Sequence, residues 1–230
     1  MKRQAASCRF CFGMPGDGCM SEEPFDFVRY FTRVHKTPFW HQMQAGMASF
    51  AGVKAGMKVL DVGCGPGRLV NHLWGGNVTA VGLDGNFRML ERARIEFGKR
   101  PFLVGSAEHL PFSANQFDAT LAGNVLFFLP DPHRVLQEMV RVTRSGGVVT
   151  IWNPSEAMSQ AAAAEYAARH ADEMDSFSQK HIVNWAGIAE ANRRWDPDTL
   201  AEMFLQAGLV EFQSKTTLDG LARYARGRKP

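Results

Sequence analysis

The sequence lacks a long hydrophobic run, a large excess of charge of either sign and a dense set of cysteines. No segment approaches the roughly 18 consecutive apolar residues that a transmembrane helix needs, and no apolar stretch follows Lys2 and Arg3 as it would in a secretory signal peptide. We therefore expect a cytoplasmic protein without a membrane span. The net charge of +3 at pH 7 is too small to indicate a nucleic-acid or membrane-surface partner.

Cysteine is scarce and unevenly placed. Cys8, Cys11 and Cys19 lie within the first twenty residues, and Cys64 stands alone. A structural zinc site needs four ligands, and the fourth is missing because the nearest histidine is His35. We therefore predict no metal site and interpret residues 1–20 as a disordered tail with incidental cysteines. A zinc or redox role for the first three cysteines is the alternative.

The rest of the chain alternates strand-like and helix-like segments, which predicts an α/β fold with a mainly parallel sheet. The expected strands are 58–62, 78–83, 101–105, 117–122 and 147–152, followed by a closing pair at 209–217 and 221–228. Residues 153–196 interrupt the alternation and are rich in alanine, methionine and aromatics, with a helix-prone stretch at 157–174. We interpret this segment as a helical cap inserted into a single domain that spans residues 21–230.

A glycine-rich loop follows the first expected strand. The sequence from Val59 to Leu69 reads VLDVGCGPGRL, so an apolar strand leads into three alternate glycines and then into a helix. Glycine lets a ligand approach the backbone and permits positive φ angles, and the helix that follows offers unpaired N–H groups. Open α/β sheets bind nucleotides in crevices of this kind.

A carboxylate supports the same interpretation. Asp84 directly follows the second expected strand, about twenty residues after the glycine loop, where an acidic side chain accepts hydrogen bonds from ribose hydroxyls. Asp84 could instead cap the helix that starts near Phe87. The loop and the carboxylate together predict a ribose-containing ligand.

The glycine spacing separates two families. Dinucleotide dehydrogenases favour G-x-G-x-x-G, whereas Gly63-x-Gly65-x-Gly67 is tighter by one residue. With this loop and with residues 82–90 and 105–112, the chain resembles the class I S-adenosylmethionine-dependent methyltransferases. It is similar in particular to the small-molecule branch related to the ubiquinone/menaquinone C-methyltransferases.

The resemblance implies a Rossmann-like three-layer sandwich whose seven-stranded sheet is mostly parallel with the last strand antiparallel. It also implies S-adenosylmethionine as the cofactor and methyl transfer to a small-molecule acceptor. A non-catalytic cofactor-binding relative and an NAD-dependent oxidoreductase are the alternatives, and methylation of protein or RNA is less favoured because no long basic patch with interleaved aromatics is present. The oligomeric state stays open.

The resemblance also gives roles to matching positions. Gly63 and Gly65 would approach the methionine end of the cofactor, Asp84 would bind the ribose, and Asn124 would lie near the methionine ammonium or the transferring methyl. Asp61 would orient the loop. The full set of expected cofactor-binding residues is Asp61, Gly63, Cys64, Gly65, Asp84, Gly85, Asn86, Ser106, Ala107, Glu108, Asn124 and Val125.

The chain departs from the family pattern at two places. Ser106 stands where an aspartate usually binds the adenine amino group, and Phe127-Phe128 replaces a polar pair that often includes histidine. An aromatic of this pair could line an apolar substrate pocket. Methyl transfer depends largely on alignment of the reacting atoms, so catalytic residues are poorly marked. His35, His41 and His181 are candidate bases, although each is more easily explained as a structural histidine.

Overall fold

The computed structural model describes residues 26–230. The expected tail at residues 1–20, with Cys8, Cys11 and Cys19, lies outside the described residues. Within the described range, no helix is long and apolar enough to cross a membrane. In the same part of the chain, no three His, Cys, Asp or Glu side chains are grouped so that they could hold a metal ion.

Seven strands form one sheet in the order β3-β2-β1-β4-β5-β7-β6. The strands are β1 (Lys58–Val62), β2 (Thr79–Asp84), β3 (Phe102–Val104), β4 (Phe117–Gly123), β5 (Thr143–Pro154), β6 (Val210–Thr217) and β7 (Ala222–Arg228). β1 to β5 pair in parallel, and β7 is antiparallel to both β5 and β6. The expected Rossmann-like sheet, with its antiparallel last strand and its closing pair, is confirmed.

Eight helices of the described chain flank this sheet. They are α1 (Phe27–Lys36), α2 (Pro38–Phe50), α3 (Arg68–Gly75), α4 (Phe87–Phe97), α5 (Pro132–Val142), α6 (Gln160–Arg169), α7 (Ser176–Glu190) and α8 (Pro197–Gln206). A short 3₁₀ turn, Leu126–Phe128, follows β4. α1 and α2 precede the sheet in the chain and pack against α3 and α4.

Local sequence explains where most of these helices begin. Every described helix except α3 starts after a side chain that accepts a backbone N–H of its first turn, as Thr37 does for α2 and Asp196 for α8. Proline at the first position of α2, α5 and α8 fits the same rule. α3 instead follows Gly67, whose φ of 78° belongs to the glycine loop.

The centre of the sheet is buried on both faces. The side chains of Leu60, Leu121 and Ile151, on β1, β4 and β5, are all fully inaccessible to solvent. Such burial is typical of parallel strands covered by helices. It makes the sheet a rigid support for the loops that leave its carboxyl edge.

The segment between β5 and α8 differs from the expectation in detail. β5 runs to Pro154, two residues beyond the expected end, because its residues 148–154 pair with β7. The helix-prone stretch at 157–174 does not form one helix, since α6 ends at Arg169 and a turn leads into α7. The interpretation of residues 153–196 as a cap stays a prediction.

Candidate functional site

A cavity of about 660 Å³ opens at the carboxyl edge of the sheet. It lies where β1, β2 and β4 end, and the chain changes direction there because β2 and β4 flank β1 on opposite sides. This is the switch point at which open α/β sheets bind ligands. Among the expected cofactor-binding residues, those that line the cavity are Gly63, Gly65, Asp84, Gly85, Asn86, Ser106, Ala107, Asn124 and Val125.

The glycine loop forms one wall of the cavity. Gly63 and Gly65 both have positive φ angles, 74° and 53°, which side chains other than glycine rarely adopt. A Cβ on Gly63 would collide with a methyl group of Val125. The N–H groups of Gly63 and Cys64 both donate to the Leu83 carbonyl, at 2.7 and 3.0 Å, and this fixes the loop against β2.

Asp84 links this loop to the start of α4. Its Oδ2 accepts the N–H of Gly65 and its Oδ1 accepts the N–H of Asn86, both at 2.8 Å. Burial raises the pKa of Asp84, and the two N–H groups partly oppose that shift. The N-cap of α4 is Asn86, which accepts the N–H of Arg88, so Asp84 is not the capping residue. Each Asp84 oxygen keeps a lone pair for a ligand hydroxyl.

The far end of the cavity is formed by the loop after β3. Gly105, Ser106 and Ala107 line it. The Ser106 hydroxyl oxygen accepts the Glu108 N–H at 3.2 Å, so the serine shapes its own turn and still has a proton to donate.

Asn124 lies directly after β4 in a left-handed conformation with φ of 60°. Its N–H donates to the Trp152 carbonyl at 2.5 Å. Its side-chain Oδ1 is buried and has no hydrogen-bond partner among the described residues. A buried acceptor without a partner is costly, and this one belongs to a residue that lines the cavity, so it suits a ligand that donates.

Three of the expected cofactor-binding residues do not line the cavity. Cys64 is buried in the core, where a Cβ on Gly82 would lie 2.7 Å from its sulfur. The backbone carbonyl of Glu108 accepts a hydrogen bond from the Arg134 side chain. Asp61 is buried in β1, and burial together with the charge of Asp84 raises its pKa to about 8.

The candidate bases are separated by the structure. His35 lines the cavity. His181 is buried in α7, where its Nδ1 bonds the Tyr30 hydroxyl at 2.7 Å, and it is not part of the cavity wall. His41 packs edge-on against His72 and is likewise outside the wall.

An aromatic and aliphatic wall faces the glycine loop. The sequence predicts part of it, since residues 25–50 indicate helices with an aromatic face and Trp40 is among the residues that could shape a pocket. Phe27 and Phe31 of α1, Trp40 of α2, and Phe128 and Leu129 after the 3₁₀ turn all line the cavity. Phe27 and Phe31 are four residues apart, so they share one face of α1. That spacing was the available signal. The expectation that one aromatic of the pair at 127–128 could face a pocket agrees with the position of Phe128, whereas Phe127 belongs to the core.

Comparison with known proteins agrees with this architecture. Residues 60–151 match the family model described as a methyltransferase domain. The chain is 33% identical over 190 residues to a demethylmenaquinone methyltransferase of Anoxybacillus flavithermus, an alignment that covers 77% of this chain and 80% of that protein. The chain belongs to the class I S-adenosylmethionine-dependent methyltransferases. A demethylmenaquinone methyltransferase of Paenarthrobacter aurescens is 27% identical over 90% of this chain and 82% of its own length.

Solved structures share the fold of this methyltransferase. The phosphoethanolamine N-methyltransferase 2 of Haemonchus contortus, solved with S-adenosyl-L-methionine, superposes with a TM-score of 0.66 at 14% identity. That match covers 88% of this chain and 56% of the other. A SAM-dependent methyltransferase from Aquifex aeolicus gives a TM-score of 0.63 at 15% identity, over 89% and 98% of the two chains.

The methyltransferase is thus an enzyme that uses S-adenosylmethionine and transfers its methyl group to a small-molecule acceptor. The cavity residues fit this cofactor. The glycine loop leaves backbone exposed where a Cβ would crowd it, Asp84 offers acceptors for ribose hydroxyls, and Asn124 offers an unpaired acceptor for an ammonium group.

Proposed function

We propose that this enzyme methylates a ring carbon of a flat, largely apolar aromatic acceptor of the quinol class. The observation that carries the proposal is the wall formed by Phe31, Trp40, Phe128 and Leu129, which shares a cavity with Gly63 and Asn124. Such a wall favours an apolar ring, because each buried apolar group adds to binding. The relatives named above are demethylmenaquinone methyltransferases, and their name supports the same acceptor class.

The cofactor would lie across the carboxyl ends of β1, β2 and β4. In this arrangement Asp84 binds the ribose hydroxyls, and Asn86 and Gly85 lie beside the adenosine. Ser106 and Ala107 meet the adenine, while Gly63, Gly65 and Val125 adjoin the methionine end. Asn124 accepts from the ammonium group, and Asp61 and Cys64 support the loop from the core. The assignments of the lining residues rest on their positions around one cavity, and those of Asp61 and Cys64 rest on their burial beside the loop.

Bound S-adenosylmethionine supplies an electrophilic methyl group on a positively charged sulfur. The methyl would form a bond to the ring carbon while its bond to sulfur breaks, and the sulfur would keep the bonding electron pair. Once the methyl has moved, the ring hydrogen would leave as a proton to solvent. The enzyme's own residues need only hold the acceptor ring in line with the methyl and exclude water, which are large effects in themselves. Trp40 and Phe128, which both line the cavity, would contact the acceptor ring.

One helix of the predicted cap, α7, would support this wall through its contact with α1. α1 and α7 meet through the bond between Tyr30 and His181 and through Arg33, whose guanidinium lies 3.9 Å from the Phe177 ring centre. Because Phe27 and Phe31 on the same helix line the cavity, the contact between α1 and α7 would hold the aromatic wall over the acceptor.

Methyl transfer to a chosen acceptor tests this proposal. The purified enzyme is incubated with labelled S-adenosylmethionine and with the reduced form of a naphthoquinone that has an unsubstituted ring carbon. We expect a labelled product whose new carbon–carbon bond is seen by NMR. The oxidised quinone should give none, because its ring carbon is not a nucleophile.

Two variants make the result interpretable. Asp84→Ala should abolish product by removing the ribose acceptor, whereas Asp198→Ala, at an exposed position on α8, should leave it unchanged. Methylation of a hydroxyl oxygen instead of carbon would contradict the assigned reaction. No transfer to reduced aromatic rings, with ready transfer to a polar amine, would contradict the acceptor class.

A further inference from the structure

We propose that His35 binds the α-carboxylate of the cofactor as a neutral hydrogen-bond donor, and does not act as the base of the reaction. This inference rests on the cofactor placement given above. It assigns a role to a residue on α1, which precedes the 60–151 segment matched by the family model.

His35 lies against the glycine loop. A Cβ on Gly65 would be 3.5 Å from its Cε1 and 3.6 Å from its Nε2, so the Cε1–Nε2 edge of the ring lies over this glycine. The residue is only 8% exposed, and it lines the cavity. The ring is therefore held at the part of the cavity where the methionine end of the cofactor is placed.

The opposite edge of the ring faces a hydrogen-bond donor. The Nε2 of Gln44, a buried residue of α2, lies 3.4 Å from His35 Nδ1. When the Gln44 amide donates to Nδ1, the single proton of a neutral imidazole must be on Nε2. That proton belongs to the ring edge over Gly65. The reversed amide orientation would give the other tautomer, with a basic Nε2, and this is the alternative that the experiment must separate.

The charges around His35 favour an anion and disfavour an imidazolium. The pKa of His35 is lowered to about 3 by burial first, then by His181 and by the positive charge of Arg68. Arg68 is itself 3.8 Å from Glu96, which also pairs with Lys36 and Arg92. His35 is therefore neutral at pH 7, next to a cluster that carries more positive than negative charge.

The cavity offers a carboxylate few other donors. No lysine or arginine in the described part of the chain lines it, so a carboxylate there depends on neutral donors and on the nearby charge of Arg68. Asn124 supplies an unpaired acceptor in the same cavity. An acceptor for the ammonium and a donor for the carboxylate together match the two charged groups of an α-amino acid.

The experiment compares two ligands that differ only in that carboxylate. Binding of S-adenosylhomocysteine and of its decarboxylated analogue, which keeps the ammonium group, is measured by calorimetry for the wild type, His35→Ala and His35→Gln. We expect His35→Ala to weaken binding of S-adenosylhomocysteine by roughly ten- to a hundredfold, as for loss of a hydrogen bond to a charged group. Binding of the decarboxylated analogue should change less than about twofold.

The variant His35→Gln distinguishes a role of His35 as hydrogen-bond donor from a role in packing or as a base. The glutamine amide can place an N–H close to the position of Nε2, so this variant should recover most of the affinity for S-adenosylhomocysteine. Equal losses for both ligands would overturn the proposal and leave His35 with a packing role. Unchanged affinities in both variants, with turnover lost, would overturn it in favour of a base. Failure of the wild type to bind either ligand would instead contradict the cofactor placement itself.

Discussion

Replacement of Gly63 by alanine should destabilise the enzyme for two separable reasons. The φ angle of 74° is unfavourable for any residue with a Cβ, at about 1–2 kcal/mol. The added methyl would also collide with Val125, and overpacking of this kind costs about 1–3 kcal/mol. The sum predicts a loss of roughly 2–5 kcal/mol in the free energy of unfolding.

Gly56→Ala is the matched control. Its φ angle is similar, at 85°, but nothing lies within 4 Å of the added Cβ. Gly56→Ala should therefore lose only the free energy that the backbone conformation costs, about 1–2 kcal/mol. Urea unfolding of both variants and the wild type gives the free energy of unfolding of each. The difference between the two losses is the cost of the collision with Val125. Equal losses in the two variants would refute the reasoning that close packing, in addition to backbone conformation, requires glycine at position 63.

Three further predictions address charge and acceptor binding. Because the pKa of Asp61 is raised to about 8 in the folded enzyme, the stability that its protonated form contributes is lost as pH rises from about 4 towards 8. Asp61→Asn should reduce this loss of stability with pH and raise the free energy of unfolding at pH 8 by at least about 1 kcal/mol. Urea unfolding at pH 5 and pH 8 measures it, and a loss between the two pH values as large as in the wild type would contradict the prediction. A hydrogen bond from Arg141 contributes most to lowering the pKa of Glu138 to about 2. The ionised Glu138 carboxylate therefore stabilises the folded enzyme above pH 4.5, and this stabilisation is lost as pH falls towards 2. Glu138→Gln should reduce the difference in stability between pH 7 and pH 3, and a difference as large as in the wild type would count against this pair. Phe128→Gln should raise the KM for the aromatic acceptor about tenfold, because an apolar contact is lost. Its affinity for S-adenosylhomocysteine, measured by calorimetry, should stay within about twofold of the wild-type value. A change in cofactor affinity with an unchanged KM for the acceptor would show that Phe128 contacts the cofactor and not the acceptor.

The sequence predicted the parts of this enzyme that local rules determine. The glycine loop could be anticipated because glycine adopts positive φ angles, such as those at Gly63 and Gly65, more readily than other residues. Asp84 could be placed because parallel strands bring their carboxyl ends to one edge. The start of α8 is a local signal of the same kind, because Asp196 caps the helix and Pro197 occupies its first position.

Features that depend on distant contacts could not be predicted in this way. The resemblance placed Cys64 among the cofactor-binding residues with Gly63 and Gly65, and only the packed structure shows that its side chain turns towards Gly82 in the core. The sequence alone could not rank His35, His41 and His181 as candidate bases. Only the packing of the helices shows which of the three histidines lines the cavity. The end of β5 at Pro154 depends on pairing with β7, about 70 residues later in the chain.

Cofactor binding by the cavity around Asp84 is the central claim, and calorimetry tests it most directly. S-adenosylmethionine, S-adenosylhomocysteine and NAD are each titrated into the wild type, Asp84→Ala and the control Asp198→Ala. We predict that both sulfur compounds bind the wild type and the control, that Asp84→Ala loses this binding, and that NAD gives no signal. Undiminished binding of S-adenosylhomocysteine to Asp84→Ala, or binding of NAD in place of the sulfur compounds, would contradict the account.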